Sequence, residues 1–550
     1  MLRGCRIHMI CMSGFTVKIK KLGAALSALA ILSLSACAPE AQPSATGSAA
    51  GTASATVKVT AQRGGELSLA MPSSPASVHP LYLNETSMLN LYWLVFEPLI
   101  ALDKDNLPQS CLADSWEYDE AQGVYIIKIR SGVQWHGERG EVTANDVVFT
   151  LQQILNSTES IYNKQIAKYI QSVSVSDLYT VVITPRIASY NLLYSLNVPI
   201  IPQSYYQGLD GKTSAPPVGS GPYAVLEANF NENSNMTLGI NEKWWKKQPY
   251  IELIRAKGYK DKDSVLAAFE RGELDCVNSD KLTVDVYAMK ENVQAWEYPS
   301  YYYDFLAVNL EREPLGDRRV RQAISYAIDR KSIVSNIYLN HAVLSETPFM
   351  PGTALNDASA IRYDYSLGTA LELLEQAGWI QNEEGLRVKD GKTLTLEIIT
   401  LENTDNPVRK DTAEAIAGQL GAAGISVTVL ALEREELDKR VAARDFDLLL
   451  TQAYLSGTPD MEFMYAGEGN ISKYNSVQLE SMLQALQSAA GREEFFSALY
   501  TLHRAMAEEL PHIGLFFQTH TMLYRTGVYP EGIYRDLKVY SGMAQWFIAQ

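Results

Sequence analysis

The chain has 550 residues, of which 47% are hydrophobic and 20% are charged, so it is globular and too long to fold around one core. Its formal net charge is −16, and without residues 1–36, which carry five basic and no acidic side chains, 42 basic and 63 acidic groups give −21. We therefore expect two or three domains and no nucleic acid or anionic lipid surface as a partner.

The first 37 residues have the pattern of a bacterial lipoprotein signal peptide. Lys18, Lys20 and Lys21 precede an apolar run over residues 22–34, and the sequence Leu-Ser-Ala-Cys ends at Cys37. The apolar run is shorter than the roughly 20 residues of a membrane-spanning helix. We expect Cys37 to be lipidated, so that the protein is extracytoplasmic and attached to the cell membrane only through its lipid.

A tether and the first folded elements are expected next. Residues 38–60 are mostly Ala, Ser, Thr, Gly and Pro, which is typical of a flexible segment. Thr143 and Asp146 form a capping-box pattern that predicts the start of a helix. Alternation and turn residues predict strands at 64–70, 125–130, 221–227 and 251–259, strand structure within 173–184, and a helix over 264–271.

The second half of the chain reads as an α/β arrangement. Asp317 is expected to cap one long helix that reaches Tyr338, and a second helix is expected over 371–377. The following order of strand, helix and strand predicts a parallel sheet, and ligands of such sheets bind at the carboxyl ends of the strands. These elements are a strand at 393–400, a helix at 408–423, strands at 425–429 and 446–451, and a loop at 455–459.

No motif in the sequence assembles a catalytic or metal site. The seven histidines are scattered without a His-x-x-x-His spacing, which argues against zinc. Gly219-Ser220-Gly221 lacks the glycine at position 218 that a nucleophile elbow requires. The spacing of Gly385 and Gly391 does not fit a phosphate-binding loop. We therefore expect no enzyme activity, no cofactor and no metal.

Two cysteines remain once the signal is removed and Cys37 is lipidated. Cys111 and Cys276 lie 165 positions apart in segments that look like different domains. The sequence allows a disulfide between them, and two separate buried thiols are the alternative.

Residues 298–305, with the sequence Tyr-Pro-Ser-Tyr-Tyr-Tyr-Asp-Phe, concentrate aromatic side chains on a predicted strand or crossover. Tyrosine rings with polar edges suit a cleft that grips a partly apolar ligand. The alternative is that alternate rings pack against one face of a sheet.

Several segments, taken together and in order, resemble the large extracytoplasmic solute-binding proteins of the oligopeptide, dipeptide and nickel ABC importers (solute-binding protein family 5). The segments are Phe-Glu-Pro-Leu at 96–99, Leu-Ala-Asp-Ser-Trp-Glu at 112–117, residues 129–136 and 143–149, Gly-Ser-Gly-Pro-Tyr at 219–223, Asn-Glu-Lys-Trp-Trp at 241–245, Gly-Glu-Leu-Asp at 272–275, Asn309, and residues 317–330.

The resemblance implies an α/β fold of the periplasmic-binding-protein type II (class C), in which two hinged lobes trap a ligand and an extra accessory domain is present. Lobe I would combine residues 61–99, 201–302 and 516–550, the accessory domain residues 100–200, and lobe II residues 303–515. It further implies a monomer that delivers a peptide or similar small polar solute to ABC permease subunits.

Candidate ligand-binding residues follow from the same resemblance. They are Asn84, Thr86, Asn278, Ser279, Phe305, Arg434, Ala453, Tyr454 and Ser456. Peptide binders carry a Gly-Trp pair and then an aspartate for the ligand's ammonium group where this chain has Gln452, Ala453 and Ser456. Asp460 could replace that aspartate if the loop is shifted. Arg434 could meet a ligand carboxylate, or be a solvated charge on a helix.

Two other functions stay open at the level of the sequence. A tethered peptide-sensing receptor, or a chaperone-like binder, could use the same fold without feeding an importer. An exported hydrolase is the distant alternative.

Overall fold

The computed structural model of the protein describes residues 60–403, 407–455, 457–532 and 536–549. The predicted signal with Cys37, the tether up to residue 59, and Ser456 lie outside the described residues.

Strands and helices are interspersed along the described residues. The strands are β1 (Glu66–Pro72), β2 (Ile100–Leu102), β3 (Pro108–Ser110), β4 (Ala113–Asp119), β5 (Val124–Ile129), β6 (Ile170–Asp177), β7 (Thr180–Pro185), β8 (Tyr223–Asn229), β9 (Asn235–Ile240), β10 (Leu253–Tyr259), β11 (Cys276–Ser279), β12 (Val293–Val308), β13 (Ala342–Leu344), β14 (Ile380–Gln381), β15 (Arg387–Lys389), β16 (Lys392–Thr393), β17 (Thr395–Leu401), β18 (Ser426–Leu432), β19 (Leu448–Tyr454), β20 (His512–Arg525), β21 (Val528–Tyr529) and β22 (Phe547–Ile548).

The helices are α1 (Thr86–Val95), α2 (Ala144–Asn156), α3 (Asn163–Tyr169), α4 (Asn191–Ser195), α5 (Gln203–Tyr206), α6 (Lys262–Glu270), α7 (Asp285–Ala288), α8 (Glu313–Gly316), α9 (Arg318–Ala327), α10 (Arg330–Asn336), α11 (Leu367–Gln376), α12 (Val408–Ala422), α13 (Arg434–Ala443), α14 (Glu462–Tyr465), α15 (Val477–Ser488) and α16 (Arg492–Glu509).

Two four-stranded sheets are built from the first half of the chain. One has the order β1-β10-β9-β8, with β1 and β10 parallel and the other pairs antiparallel. The other, which we call the accessory sheet, has the order β4-β5-β7-β6 and is antiparallel throughout.

The central sheet has the strand order β11-β20-β12-β19-β17-β18, and β13 pairs with β20 as a seventh strand. Strand β17 is parallel to both β18 and β19, and α12 connects β17 to β18. This arrangement confirms the parallel sheet that the sequence predicts.

Strands β12 and β20 are long, with 16 and 14 residues, and we call them the shared strands. The first part of β12 pairs with the end of β20, next to β11, whereas residues 302–308 pair with β19. The pairing of β12 with β20 shifts register between Pro299 and Tyr303 and again between Asp304 and Phe305. Such irregularities bend a strand locally.

Buried apolar side chains cover both faces of the central sheet. One cluster joins the first sheet, the accessory segment and α14–α16 to the face that carries Phe305 and Leu449. A second cluster packs α9, α11 and α12 against the opposite face, which carries Leu306 and Leu450. The central sheet is therefore the middle layer of a three-layer α/β arrangement.

The prediction of one long helix from Asp317 to Tyr338 is wrong. The structure has two helices there, α9 and α10, with a break at Ile328 and Asp329. Asp317 does cap α9, since its carboxylate accepts the N–H of Arg319 at 2.9 Å. Asp329 then caps α10 in the same way by accepting the N–H of Ser332 at 3.0 Å. A second aspartate with N-cap geometry therefore starts a new helix where the apolar spacing alone indicated a continuous one.

The two cysteines are free thiols, and both are buried. The interpretation of Cys111 and Cys276 as separate buried thiols is confirmed, and the alternative disulfide is excluded.

Candidate functional site

Polar and aromatic side chains collect where the parallel strands of the central sheet end. Tyr302 lies directly opposite Tyr454, and Asp304 lies directly opposite Gln452, on neighbouring strands β12 and β19. Side chains two residues apart on a strand point to the same face, so these four share one face. The carboxyl edge of a parallel sheet is the usual position of a ligand site in α/β folds.

The first group on this face is the tyrosine cluster, which we define as Asn278, Tyr298, Tyr302, Tyr454, His520 and Asp536. The Tyr302 ring lies 5.0 Å from Tyr454 and 6.1 Å from His520, measured between ring centroids. The Tyr298 ring meets His520 edge to face at 6.0 Å, and its hydroxyl donates to Asn278 Oδ1 at 2.8 Å. Edge-to-face aromatic contacts fix ring positions, so this surface is preorganised.

Asp536 connects the C-terminal segment to this cluster. Its Oδ2 accepts the N–H of Tyr301 at 2.9 Å, and its Oδ1 lies 2.7 Å from His520 Nδ1. Burial, together with the charge of Lys262, lowers the pKa of His520. The interactions with Asp536 and Asp280 outweigh these effects, so the pKa is raised above 6.5.

The stability of the fold should therefore depend on the charge of His520. A raised histidine pKa adds stability that is fully present below pH 6.5 and is lost as the pH rises through the folded-state pKa. We expect the difference in unfolding free energy between the wild type and His520→Gln, from urea titrations, to be larger at pH 6 than at pH 8.5.

His503 supplies the control for this pH experiment. Burial lowers the pKa of His503 to about 4, so folding penalises its protonated form instead. The difference in unfolding free energy between the wild type and His503→Gln should therefore be smaller at pH 6 than at pH 8.5. Equal pH slopes for the wild type and His520→Gln would contradict the pairing of His520 with Asp536.

The second group on the same face is the Asp304 cluster, which consists of Asp304, Arg409, Gln452 and Gln518. The amides of Gln518 and Gln452 donate to Asp304 Oδ2 at 2.8 and 3.3 Å, and Arg409 Nη2 lies 3.8 Å from Oδ1. Burial raises the pKa of Asp304 to about 6, although Arg409 and both amides favour its charged form. Arg409 also donates to Gln452 Oε1 at 3.3 Å, so the cluster is a connected polar network beside the rings.

The structure brings some of the predicted ligand residues to this surface. Asn278 and Tyr454 belong to the tyrosine cluster, and Tyr454 still exposes 39% of its surface. Ser279 follows Asn278 on β11, is buried, and accepts the N–H of Lys281 at 3.2 Å. Ala453 is half-buried and lies opposite Tyr303, on the other face of β19.

The remaining predicted residues lie elsewhere. Phe305 is buried on the opposite face of β12, with its ring 5.5 Å from Tyr303 and 4.8 Å from His512. Asn84 and Thr86 are exposed at the start of α1. Arg434 begins α13 and pairs with Asp438 at 3.4 Å, as a helix surface charge does. Their contact with a ligand stays a prediction.

The sequence analysis missed Asp304, Arg409, Gln518, His520 and Asp536 as neighbours of the site. A usable signal was present, because Gln518 and His520 are polar residues two positions apart in a strand that is otherwise largely apolar. The partner strands carry polar or tyrosine side chains with the same spacing. These strands are far apart in the sequence. Placing their polar side chains together would have required knowing which strands are neighbours in the sheet.

Two general properties complete the description of this surface. The described residues contain no group of three or more His, Cys, Asp or Glu side chains placed to hold a metal ion. Among the same residues, no helix combines the length and the apolar character that crossing a membrane requires.

The sequence pattern of the bacterial extracellular solute-binding proteins, family 5 (middle region), matches residues 108–474. The chain belongs to this family. Family 5 proteins act outside the cytoplasm as binding proteins rather than as enzymes, and this chain is accordingly a solute-binding protein of the kind that serves ABC importers.

Individual members of family 5 resemble the chain over most of its length. The oligopeptide-binding protein AppA of Bacillus subtilis is 23% identical over 487 residues, covering 84% of this chain and 88% of AppA. The nickel-binding periplasmic protein of Escherichia coli is 24% identical over 415 residues, covering 72% of this chain and 76% of the nickel-binding protein.

A solved structure of the same fold is the periplasmic murein tripeptide binding protein MppA in its unliganded open form. It shares 17% identity, covers 89% of this chain and 98% of MppA, and superposes with a TM-score of 0.76. The fold is therefore the two-lobe type II binding-protein fold that the resemblance implied.

Proposed function

We propose that this protein is the lipid-anchored substrate-binding component of an ABC importer, and that it captures a peptide or similar small polar solute between its lobes for delivery to a permease. The observation that carries the proposal is the continuous face formed by the tyrosine cluster and the Asp304 cluster, at the carboxyl edge of the central sheet of a family 5 protein.

The shared strands act as the hinge of this trap. Lobe I would comprise residues 61–99, 201–302 and 516–550, and lobe II residues 303–515, so that β12 and β20 cross between them near the register shifts. Asn278 and Asp536 then belong to lobe I and Tyr454 to lobe II. A ligand that contacts both sides gains its full binding energy only when the lobes meet, and it thereby shifts the equilibrium towards the closed state.

The chemistry of the site supports a peptide-sized ligand. Tyrosine rings bury apolar surface of a ligand while their hydroxyls keep polar partners. The partly exposed amides of Gln452 and Gln518 carry both donors and acceptors that suit a polar backbone, and the buried Asp304 orients them. A relative with similarity over 84% of this chain is named for binding oligopeptides.

Lipidation of Cys37 and the tether that follows it would hold the trap at the outer surface of the membrane. A single lipid chain gives only weak membrane attachment, and several acyl chains on one cysteine give stable anchoring. The tether of about 20 residues would let the lobes reach a permease without a fixed orientation.

The ligand-binding test replaces Tyr454 by alanine. We expect Tyr454→Ala to weaken peptide binding at least tenfold, because a buried aromatic contact at a binding site is worth about 1.5 kcal/mol or more. Binding is measured by native mass spectrometry with a tetrapeptide library, and affinities of the retained peptides by calorimetry.

Tyr365 provides a matched control, because it exposes 50% of its surface and lies in the loop before α11, away from the cluster. Tyr365→Ala should bind as the wild type does. Failure of the wild type to retain any peptide would refute a peptide ligand, and unchanged affinity of Tyr454→Ala would remove the tyrosine cluster from the site.

A further inference from the structure

The accessory segment, residues 100–200, contacts the proposed lobe II directly in three places. Helices α3 and α4 and the β2–β3 turn supply one side of the contact. The loop after β19, the start of α16 and the loop around residue 354 supply the other side.

The first place is an ionic contact between α3 and the loop that leaves β19. Lys168 pairs with Asp460 and, at 2.5 Å, with Glu462. The hydroxyl of Tyr169 donates to Asp460 at 2.7 Å. Asp460, which the sequence analysis considered for a ligand's ammonium group, is thus already paired with an ammonium group of the protein.

The second place is aromatic and involves α4. The Tyr190 ring lies 5.1 Å from Phe495, and the Tyr190 N–H donates to the carbonyl of Ala489 at 2.7 Å. Tyr194 packs against the same phenylalanine at 6.1 Å. Phe495 is completely buried by this contact and its helix neighbours.

The third place joins the β2–β3 turn to a loop of lobe II. The N–H of Ala354 donates to the carbonyl of Asp105 at 3.0 Å, and the carbonyl of Ala354 accepts the hydroxyl of Tyr500 at 2.8 Å. Main-chain contacts of this kind require the two sides to be in register.

The contact combines a partly solvated ionic part with a buried aromatic part. Its ionic part is partly solvated, since the Lys168 and Asp460 side chains expose 31% and 17% of their surface, and such pairs contribute modestly. Within the described residues, the buried Tyr194 hydroxyl has no hydrogen-bond partner. Burial of an unpaired hydroxyl is costly, and separation of the two sides would return it to water.

We propose that α3 and α4 of the accessory segment form a latch that holds lobe II in the arrangement seen here and that releases when the lobes separate. The proposal rests on the hinged two-lobe function given above. It assigns to the accessory segment the control of how far and how often the trap opens.

The test measures the distance between the two sides without any ligand. Cysteines introduced at Leu178 and Val477, which expose 54% and 84% of their surface, carry spin labels. Native Cys111 and Cys276 are buried, and Cys5, Cys11 and Cys37 are replaced by serine so that they take up no label. Pulsed electron paramagnetic resonance on the full chain, after removal of bound solutes, then reports the distribution of distances between the two labels. We expect Lys168→Ala and Asp460→Asn to increase the population with the longer distance about fivefold.

Lys164 lies on the same helix and is exposed, so Lys164→Ala is the matched control and should leave the distribution unchanged. If Lys168→Ala and Asp460→Asn lower the melting temperature but leave the distances unchanged, the contact is a fixed part of one rigid body and the latch is refuted. Because no ligand is used, this outcome is independent of whether the tetrapeptide library binds.

Discussion

Gly514→Ala is expected to lower the free energy of unfolding by about 3 kcal/mol, because the new methyl group has no space. Gly514 pairs with Phe305 where the shared strands shift register. A Cβ atom there would overlap the Tyr303 hydroxyl and the main-chain carbonyl of Glu346. The carbonyl belongs to the backbone after β13 and cannot rotate away as a flexible side chain does.

Equilibrium denaturation in urea gives the unfolding free energy of this variant. Gly418→Ala is the control, since Gly418 lies within α12 with no atom in the way of a Cβ, and alanine should stabilise that helix by about 0.5–1 kcal/mol. If Gly514→Ala were as stable as the wild type, the close packing of the shared strands described here would be wrong.

Arg330→Met is expected to cost about 4 kcal/mol of unfolding free energy. The guanidinium of Arg330 is buried and donates to the carbonyls of Gly514 at 2.8 Å and Ser325 at 2.9 Å, and to the Ser325 hydroxyl at 2.7 Å. It also donates to the carbonyl of Tyr363 at 3.2 Å. Methionine fills a similar volume but leaves these acceptors without their donor.

Lysine should not rescue this position, because one ammonium group cannot span acceptors that a planar guanidinium reaches in several directions. Arg271→Met serves as the control. Arg271 exposes 57% of its side chain and pairs with Glu273 at the surface, so its loss should change the unfolding free energy by less than about 1 kcal/mol. Calorimetric melting that finds Arg330→Met and Arg271→Met equally stable would show that the Arg330 network does not hold α10 to β20.

Local sequence signals predicted the elements of the fold well where one signal dominated. The alternation around 425–429 and the helix at 408–423 correspond to β18 and α12, and their parallel pairing followed from the order of elements. The helix after Asp317 was predicted too long because apolar periodicity continues past Ile328, whereas the cap at Asp329 acts on only a few main-chain atoms.

The candidate site was less accessible to sequence reasoning, for a physical reason. Asp304, Gln452 and Gln518 lie on three strands separated by more than 60 residues, and only hydrogen bonding between those strands brings them together. Asn278 and Tyr454 were found through resemblance to the family, whereas Asp536 comes from a C-terminal segment without a periodic pattern. Phe305 shows why an aromatic residue in a strand is ambiguous in sequence, since it suits a core and a binding surface equally well; here its ring packs against Tyr303.

The position of β20 in the central sheet has a consequence for biosynthesis. Residues 512–525 form this strand, and it lies between β11 and β12, so β12 lacks one of its two neighbours until residues 512–525 have been synthesised. The pairing of β12 with β20 is non-local, so the sheet cannot be completed while the first 511 residues are being made. Non-local pairing is also slow, and we therefore expect closure of this contact to be a late step in folding.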